Sequence, residues 1–468
     1  MNVRTGALVL LALPSCRGPE HSPTEGLELA IPGQWDALES AEPPAAGAWW
    51  ARFEDEELLA VVAEALANNR DLAVSAARVG AAAAQARIAG ADLLPSVGLS
   101  GTAARNRQVF VGLPVPGGGV LRSTTTSYGV SLDVSWEADL WGRIAAGRDA
   151  ASAEFAASAE EYEAARHSIA AQTAKAWFAW REALLQADLA ARTVANFRRS
   201  ATIVVERYER GIAAALDMRL AQSDLAASEA LLELRGEQVE RTGRQLEILL
   251  GRYPAGDLER TAALPALPEA PAAGVPSELL RRRPDLRAAE SRLMATDARL
   301  EEARAALYPR LVLTGSAGRT GESTSDLLDS DFSIWSIAAG LVQPIFEGGR
   351  LAAGVDFADA RVRESLANYA ALVLRAFAEV ETILAIEGQL ARRESFQAIA
   401  SDRALAASTL AEERYARGLL DLTDLLIAQR RALETEANLL GVRRERLESR
   451  VNLHLALGGD FETPQALP

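Results

Sequence analysis

From Arg143 to Arg210 the chain contains no proline and a single glycine, Gly147. Ala, Arg, Glu and Leu dominate the stretch, so nothing in it interrupts a helix. At about 1.5 Å per residue it predicts one helix on the order of 100 Å long. Such a rod does not fit inside a compact globule. It has to pack side by side with other helices of this chain or of other copies.

The chain also repeats itself. "RYERGIAAALDMRLAQ" begins at Arg207 and "RYARGLLDLTDLLIAQ" at Arg414, with seven of sixteen aligned positions identical and no gap. Upstream, the residues from Asn69 align with those from Arg283. Asp71 then meets Asp285, Pro95 meets Pro309 and Gly101 meets Gly315, an offset of 214. Gly142-Arg143 meets Gly349-Arg350 at an offset of 207, so a loop of unequal length lies between these blocks. The chain is a tandem duplication of roughly 200-residue units, and two copies are too few for a solenoid. Each unit reads helix, strand, strand, long helix, turn, helix. The second long helix covers 349–417, with Gly354 and Gly388 as its weak points.

The strands alternate. In 96–103 the apolar positions are Val97, Leu99, Gly101 and Ala103; in 127–136 they are Tyr128, Val130, Leu132, Val134 and Trp136. Strands 311–318 and 333–343 keep the phase with Leu311, Leu313, Trp335, Ile337 and Leu341. Period two gives one apolar and one polar face. Aromatics gather at strand ends: Tyr128, Trp136, Trp141, Tyr308 and Trp335. Two readings fit, a pair of half-buried hairpins in a soluble sandwich or part of a membrane β-barrel with an aromatic girdle. Hairpins that emerge from such long helices favour the barrel. Four strands do not close one, since the smallest have eight, and lipid does not tolerate open sheet edges. Strands of several copies therefore have to join.

Composition narrows the function. The formal charge is −15, which argues against nucleic acid as a partner. His21, His167 and His454 are far apart and there is one Cys, so metal, cofactor and Cys–His chemistry lack raw material. No glycine-rich nucleotide loop occurs, and no catalytic constellation is expected. No apolar run is long enough for a transmembrane helix. The N-terminus "MNVRTGALVLLALPSC" places an apolar stretch after Arg4 and a small residue before Cys16. That is a secretory signal, and Leu at −3 with Ser at −1 resembles a lipobox, with Cys16 as the lipidated first residue. An ordinary signal peptide with an incidental Cys is the alternative.

The stretch 275–318, "VPSELLRRRPDLRAAESRLMATDARLEEARAALYPRLVLTGSAG", resembles the most characteristic segment of the outer membrane efflux proteins of TolC/OprM type, in their NodT-like lipoprotein branch. "WWARFEDEELLAVVAEALANNRDL" (49–72) is similar to the start of their mature domain. "WEADLWGR" (136–143) and "PIFEGGR" (344–350) are similar to their strand-to-helix junctions. The resemblance covers 35–460 and implies a mainly α fold with a membrane β-barrel: a homotrimer with a twelve-stranded barrel in the outer membrane and a long periplasmic α-helical barrel. It implies an exit duct of a tripartite efflux system for drugs or metals, serving a periplasmic adaptor (membrane fusion) protein and an inner-membrane pump of the RND type. The outer membrane component of a type I protein secretion system is the alternative. The expected organisation is a signal peptide at 1–15, a lipid-anchored extension at 16–48 and a first repeat at 49–251 with its hairpin at 94–136. An equatorial linker follows at 252–276, then a second repeat at 277–459 with its hairpin at 309–343, and a tail at 460–468.

In each quoted repeat, Arg210 and Arg417 precede Gly211 and Gly418, the pattern of a helix stop. Each stretch is thus a helical hairpin, at the end farthest from the strands, and the resemblance makes it the periplasmic tip. Asp217 and Asp424 occupy the same repeat position. They are either an acidic ring that favours cations or helix-start residues that complement the dipole. Where many relatives carry an acidic residue, this chain has Ile427, matched by Leu220, which makes an apolar constriction the competing expectation. Arg207, Tyr208, Arg414 and Tyr415 read as inter-helix latches or as packing. "AWFAW" (176–180) reads as packing against the belt, and "RRERLESR" (443–450) as a solvated helix face.

Overall fold

The computed structural model describes residues 35, 48–111, 120–258, 263–271 and 273–459. The signal segment, Cys16, most of the 16–48 extension and the 460–468 tail lie outside the described residues.

The duplication is visible in element lengths. After a short α1 (Glu56–Asn68), the first repeat runs α2 (Arg70–Ala91), β1 (Ser96–Phe110), β2 (Leu121–Ala138), α3 (Arg143–Glu209) and α4 (Ala215–Leu249). After α5 (Pro276–Arg282), the second runs α6 (Pro284–Ala305), β3 (Arg310–Gly321), β4 (Ser333–Val342), α7 (Arg350–Ala416) and α8 (Leu422–Ala456). The long helices α3 and α7 have 67 residues each, α4 and α8 have 35 each, and α2 and α6 have 22 each. No helix among the described residues is long and apolar enough to cross a membrane.

Two compact units divide the chain, and each long helix contributes to both. The first unit holds residues 80–158 and 289–369, including all four strands. They form one antiparallel sheet in the order β1-β2-β3-β4. The register carries the sequence phase across every strand. Val97 pairs with Val134, Val134 with Gly315 and Gly315 with Ile337. One position on, Gly98, Asp133, Ser316 and Ser336 form the matching polar row. Directly paired residues share a face, so the sheet has one apolar and one polar side. Leu99 is 78% and Ile337 82% exposed in the single chain. Among the described residues, β1 and β4 have no partner on their outer edges.

The first hairpin is longer than its apolar pattern. The alternation ends at Ala103 and Tyr128, yet pairing continues to Phe110 and Leu121. Backbone hydrogen bonds need no apolar face, so a polar ribbon extends a hairpin past the point where hydrophobic patterning stops.

In the second unit, Trp49, Trp50, Phe53, Trp177, Phe178 and Trp180 form the centre of the largest core. Leu58 and Val62 of α1 join it, as do Leu246 of α4 and Val451 of α8. Linker residues Leu258, Leu264 and Leu267 close over it. Each buried aromatic here contributes about 2–3 kcal/mol over its exposed state. The 176–180 aromatics are thus packing, with Gly243 as the small residue that admits Trp180: a Cβ there would sit 3.2 Å from Trp180 Nε1.

The 443–450 segment departs from expectation. It is an inter-helix ladder, not a solvated face. Arg443 (3.3 Å) and Arg446 (2.5 Å) bind Glu394, Arg393 binds Glu445 at 2.5 Å, and Arg450 pairs with Glu387 while being almost fully buried. Leu447 and Val451 of the same helix are buried in the core while the arginine heads of the segment reach α7, which a charge count along one helix does not reveal.

Candidate functional site

Two surfaces stand out, one in each unit. The first is the polar face of the sheet. Ser100 Oγ donates to Asp133 Oδ2 at 2.6 Å and lies 2.7 Å from Ser131 Oγ; Ser316 and Ser336 hydroxyls meet at 2.8 Å. These short side chains link β1 to β2 and β3 to β4 and leave a smooth hydroxyl wall with Asp133 as its acid.

At the base of the sheet, Trp136 Nε1 donates to Leu93 O at 3.0 Å and Trp141 Nε1 to Pro309 O at 2.8 Å. Trp141 stacks on Tyr308 with ring centres 5.1 Å apart. Three of the five expected girdle aromatics therefore cluster where strands meet helices. Trp335 (paired with Ala317) and Tyr128 (paired with Gly321) lie further up the sheet. Eight residues separate Tyr128 from Trp136 on β2, about 26 Å along a strand. Tyr128 and Trp136 thus bracket the exposed apolar residues Val130 and Leu132 of β2, while Trp335 pairs through Ala317 at the level of Leu132. Each strand-to-helix junction turns on a left-handed glycine, Gly142 (φ 76°) and Gly349 (φ 83°). Asp139 then caps α3 by accepting from Ala145 N at 2.7 Å.

The second surface is the pair of helical hairpins in the other unit. Gly211 and Gly418 have φ of 74° and 75°. Each helix closes with the same two bonds: Gly211 N to Tyr208 O and Ile212 N to Arg207 O, repeated by Gly418 to Tyr415 and Leu419 to Arg414. Arg210 and Arg417 are exposed beside them. Asp217 accepts from Ala214 N at 3.3 Å and so acts as a helix-start acceptor; Asp424 is exposed.

A core of Phe197, Val204, Ala221, Tyr415, Leu422, Leu425 and Leu426 joins α3 and α4 to α7 and α8. Leu220 and Ile427 remain outside it and exposed. On each helix the pairs Asp217/Leu220 and Asp424/Ile427 sit at i, i+3, one stripe apart from the packed face. In each repeat the acidic and the apolar candidate therefore share one stripe of their own helix.

The repeats are equal in backbone and unequal in partners. Arg207 Nη2 donates to Tyr415 O (2.9 Å) and Ala416 O (3.1 Å), and its guanidinium lies 4.6 Å from the Tyr415 ring. Tyr415 is 5% exposed and its counterpart Tyr208 is 40% exposed. Burial raises the Tyr415 phenol pKa, against the opposing pull of Arg207. Gln429, buried, binds Ser200 (3.2 Å) and Glu412 (3.0 Å), while its counterpart Gln222 is exposed. The role of Gln429 escapes sequence reasoning, although its doubling with Gln222 is the available signal.

The outer membrane efflux protein family matches twice, at residues 61–252 and 275–459, once for each repeat. The chain belongs to the outer membrane efflux protein family. It is an outer membrane efflux channel and not an enzyme. It is 33% identical over 457 residues to the pyoverdine export outer membrane protein OpmQ of Pseudomonas putida, covering 97% of this chain and 96% of that one. It is 32% identical over 420 residues to the toluene efflux pump outer membrane protein TtgF of another strain of Pseudomonas putida, covering 90% and 87%. The Campylobacter jejuni CmeC outer membrane channel superposes with a TM-score of 0.86 at 26% identity, covering 94% of each chain.

Proposed function

We propose that three copies of this chain close a twelve-stranded barrel and that the assembly is the passive exit duct of a tripartite efflux system. The observation that carries this is the four-stranded sheet with two open edges, one apolar face and one hydroxyl-lined face. Open edges in lipid cost several kcal/mol per unpaired group, so the edges of different copies pair. The apolar face then meets lipid, and the Ser100–Ser131–Asp133 wall lines the conduit. The helical hairpins of both repeats line the periplasmic opening, with Asp217, Asp424, Leu220 and Ile427 on the surface that narrows it. A periplasmic adaptor and an RND-type inner-membrane pump deliver the cargo, and Cys16 carries the lipid anchor.

The wall offers short hydroxyl side chains, so the pump selects the cargo and the duct tolerates it. Relatives whose names carry solutes as different as toluene and pyoverdine support that division of labour. Deleting the gene should sensitise the host to toxic solutes, and the wild-type chain should restore resistance. The purified protein should conduct ions in a planar bilayer. Failure on both counts contradicts the duct. Intact-mass analysis should show acylation that Cys16→Ser removes.

A further inference from the structure

The extension of the first hairpin beyond the apolar band carries a charge pattern that conduction does not use. Between Asp92 and Asp133 the sequence holds three arginines, Arg105, Arg107 and Arg122, and no acidic residue. Register puts all three on one side. Arg105 pairs with Thr126, Arg107 with Thr124, and Val109 with Arg122, all in phase with Val97, Leu99 and Ala103 of the apolar face. The opposite side of the same ribbon is neutral: Asn106, Gln108, Ser123 and Thr125. All three arginines are exposed. Arg105 follows the last apolar row, Ala103 and Tyr128, by two residues, about 7 Å along the strand.

We propose that Arg105, Arg107 and Arg122 form a phosphate-binding patch for the anionic headgroups of the outer leaflet, holding the barrel to phosphorylated glycolipid. The proposal rests on the reading of the apolar face as lipid-facing. Acyl chains that cover Val97, Leu99 and Leu132 bring their headgroups to the next positions on the same face, and those positions are guanidinium groups. Guanidinium binds phosphate oxygens in a planar, two-pronged geometry and is weakly hydrated, which suits a membrane interface. Basic residues at such a surface are drawn to anionic lipid additively.

The competing partner is the second hairpin of a neighbouring copy. Glu322, Asp326, Asp329 and Asp331 make it acidic. Pairing along a strand edge does not require the arginines to share a face, whereas lipid contact does. Asp326 and Asp329 are also engaged locally, accepting from Ser323 N (2.9 Å) and Asp331 N (3.0 Å).

The test is native mass spectrometry of the full-length oligomer in mild detergent, titrated with lipid A, with lipid A stripped of both phosphates, and with inorganic phosphate. The wild type and two triple variants are compared, Arg105→Gln/Arg107→Gln/Arg122→Gln and the same positions to Lys. Lipid A should bind the wild type at least tenfold tighter than the Gln variant, with the Lys variant, which keeps the charge but loses the two-pronged geometry, in between. Dephosphorylated lipid should bind the wild type as weakly as lipid A binds the Gln variant, and millimolar phosphate should not displace lipid A. Equal binding by the Gln variant overturns the proposal. Displacement by free phosphate overturns it in favour of a small-anion site. Dissociation of the oligomer by the Gln variant, mirrored by Glu322→Gln/Asp329→Asn, overturns it in favour of contacts between copies. If the wild type itself does not insert into lipid vesicles, the lipid-facing reading fails first, before any variant is compared.

Discussion

Arg207, near the end of α3, holds the end of α7 through the ring and the carbonyl oxygen of Tyr415, 4.6 Å and 2.9 Å away. The guanidinium shares the Tyr415 carbonyl with Gly418 N, satisfies the Ala416 carbonyl at the helix end, and places positive charge at the negative end of the dipole. It thereby ties the first repeat to the second at the hairpins.

Removing that tie should loosen the tip without unfolding the protein. Arg207→Ala should lose about 1–2 kcal/mol locally. Hydrogen exchange at 411–420 should rise about tenfold, which is what about 1.4 kcal/mol of lost local protection gives when reclosing is fast and the opening equilibrium sets the exchange rate. Tyr415→Ala should cost about 3 kcal/mol, and Tyr208→Ala less than about 1, although the two residues stand at the same repeat position. Equal costs would contradict the asymmetry.

Gly251 follows α4 with φ at 72°, and a Cβ there would collide with the carbonyl oxygen of Asn68. Asn69 uses the same junction to cap α2, accepting from Asp71 N and Leu72 N, and donates to Leu249 O at 2.9 Å. Gly251→Ala should therefore cost about 2 kcal/mol or more, read as a lower melting temperature. Gly236→Ala, inside α4 with open space around it, should be neutral or slightly stabilising.

The duplication, the long helices and the strand phase are legible because each rests on local rules: absence of breakers, a period of two, a glycine stop. The sequence places the helix stops at Gly211 and Gly418, and the α-helices end within two residues of them. Partners are not legible. Nothing in the two repeated stretches, which share the Arg-Tyr-x-Arg-Gly start, indicates that Tyr415 is covered and Tyr208 is not, because that depends on which helix of the other repeat lies alongside. The Arg443–Arg450 ladder has the same cause: its acids, Glu387 and Glu394, are on a different helix. The apolar phase understates the length of the first hairpin, whose polar extension has no such phase to follow.

Two buried histidines make stability depend on pH. His454, stacked on Trp49 with ring centres 5.7 Å apart, has its pKa lowered to about 3 by burial, with Arg52 and Arg450 adding to it. His167 is lowered to about 4 by burial and Arg166, against Asp285. Below about pH 6.5 the unfolded chain takes up protons that the folded chain refuses, so stability falls as pH drops from there towards those values. The slope is about 1.4 kcal/mol per pH unit for each group. His454→Phe keeps a ring against Trp49 and removes one of the two titrations. Its loss of melting temperature between about pH 7 and pH 5 should be clearly smaller than that of the wild type. An unchanged loss would show that His454 is not held neutral.

The tip stripe sets two gates against each other. If Asp217 and Asp424 govern the opening, changing both to Asn should weaken cation preference in planar bilayers while the helix starts stay capped. If Leu220 and Ile427 govern it, that double variant should conduct like wild type and Ile427→Asp should raise resting conductance. No change in any variant would remove this stripe from the opening.

The central claim is that the open edges of β1 and β4 pair between copies. Within one chain three strand spacings separate them, about 14 Å, beyond the roughly 7 Å Cα limit of a disulfide. Leu99→Cys should be combined in turn with Ser333→Cys, Ile337→Cys and Leu341→Cys, all on the apolar face, in membranes under mild oxidation. The account predicts that one combination gives covalent dimers and trimers and nothing larger, while each single variant lacks the trimer. Monomers in every combination, from protein that is folded and inserted, would contradict it.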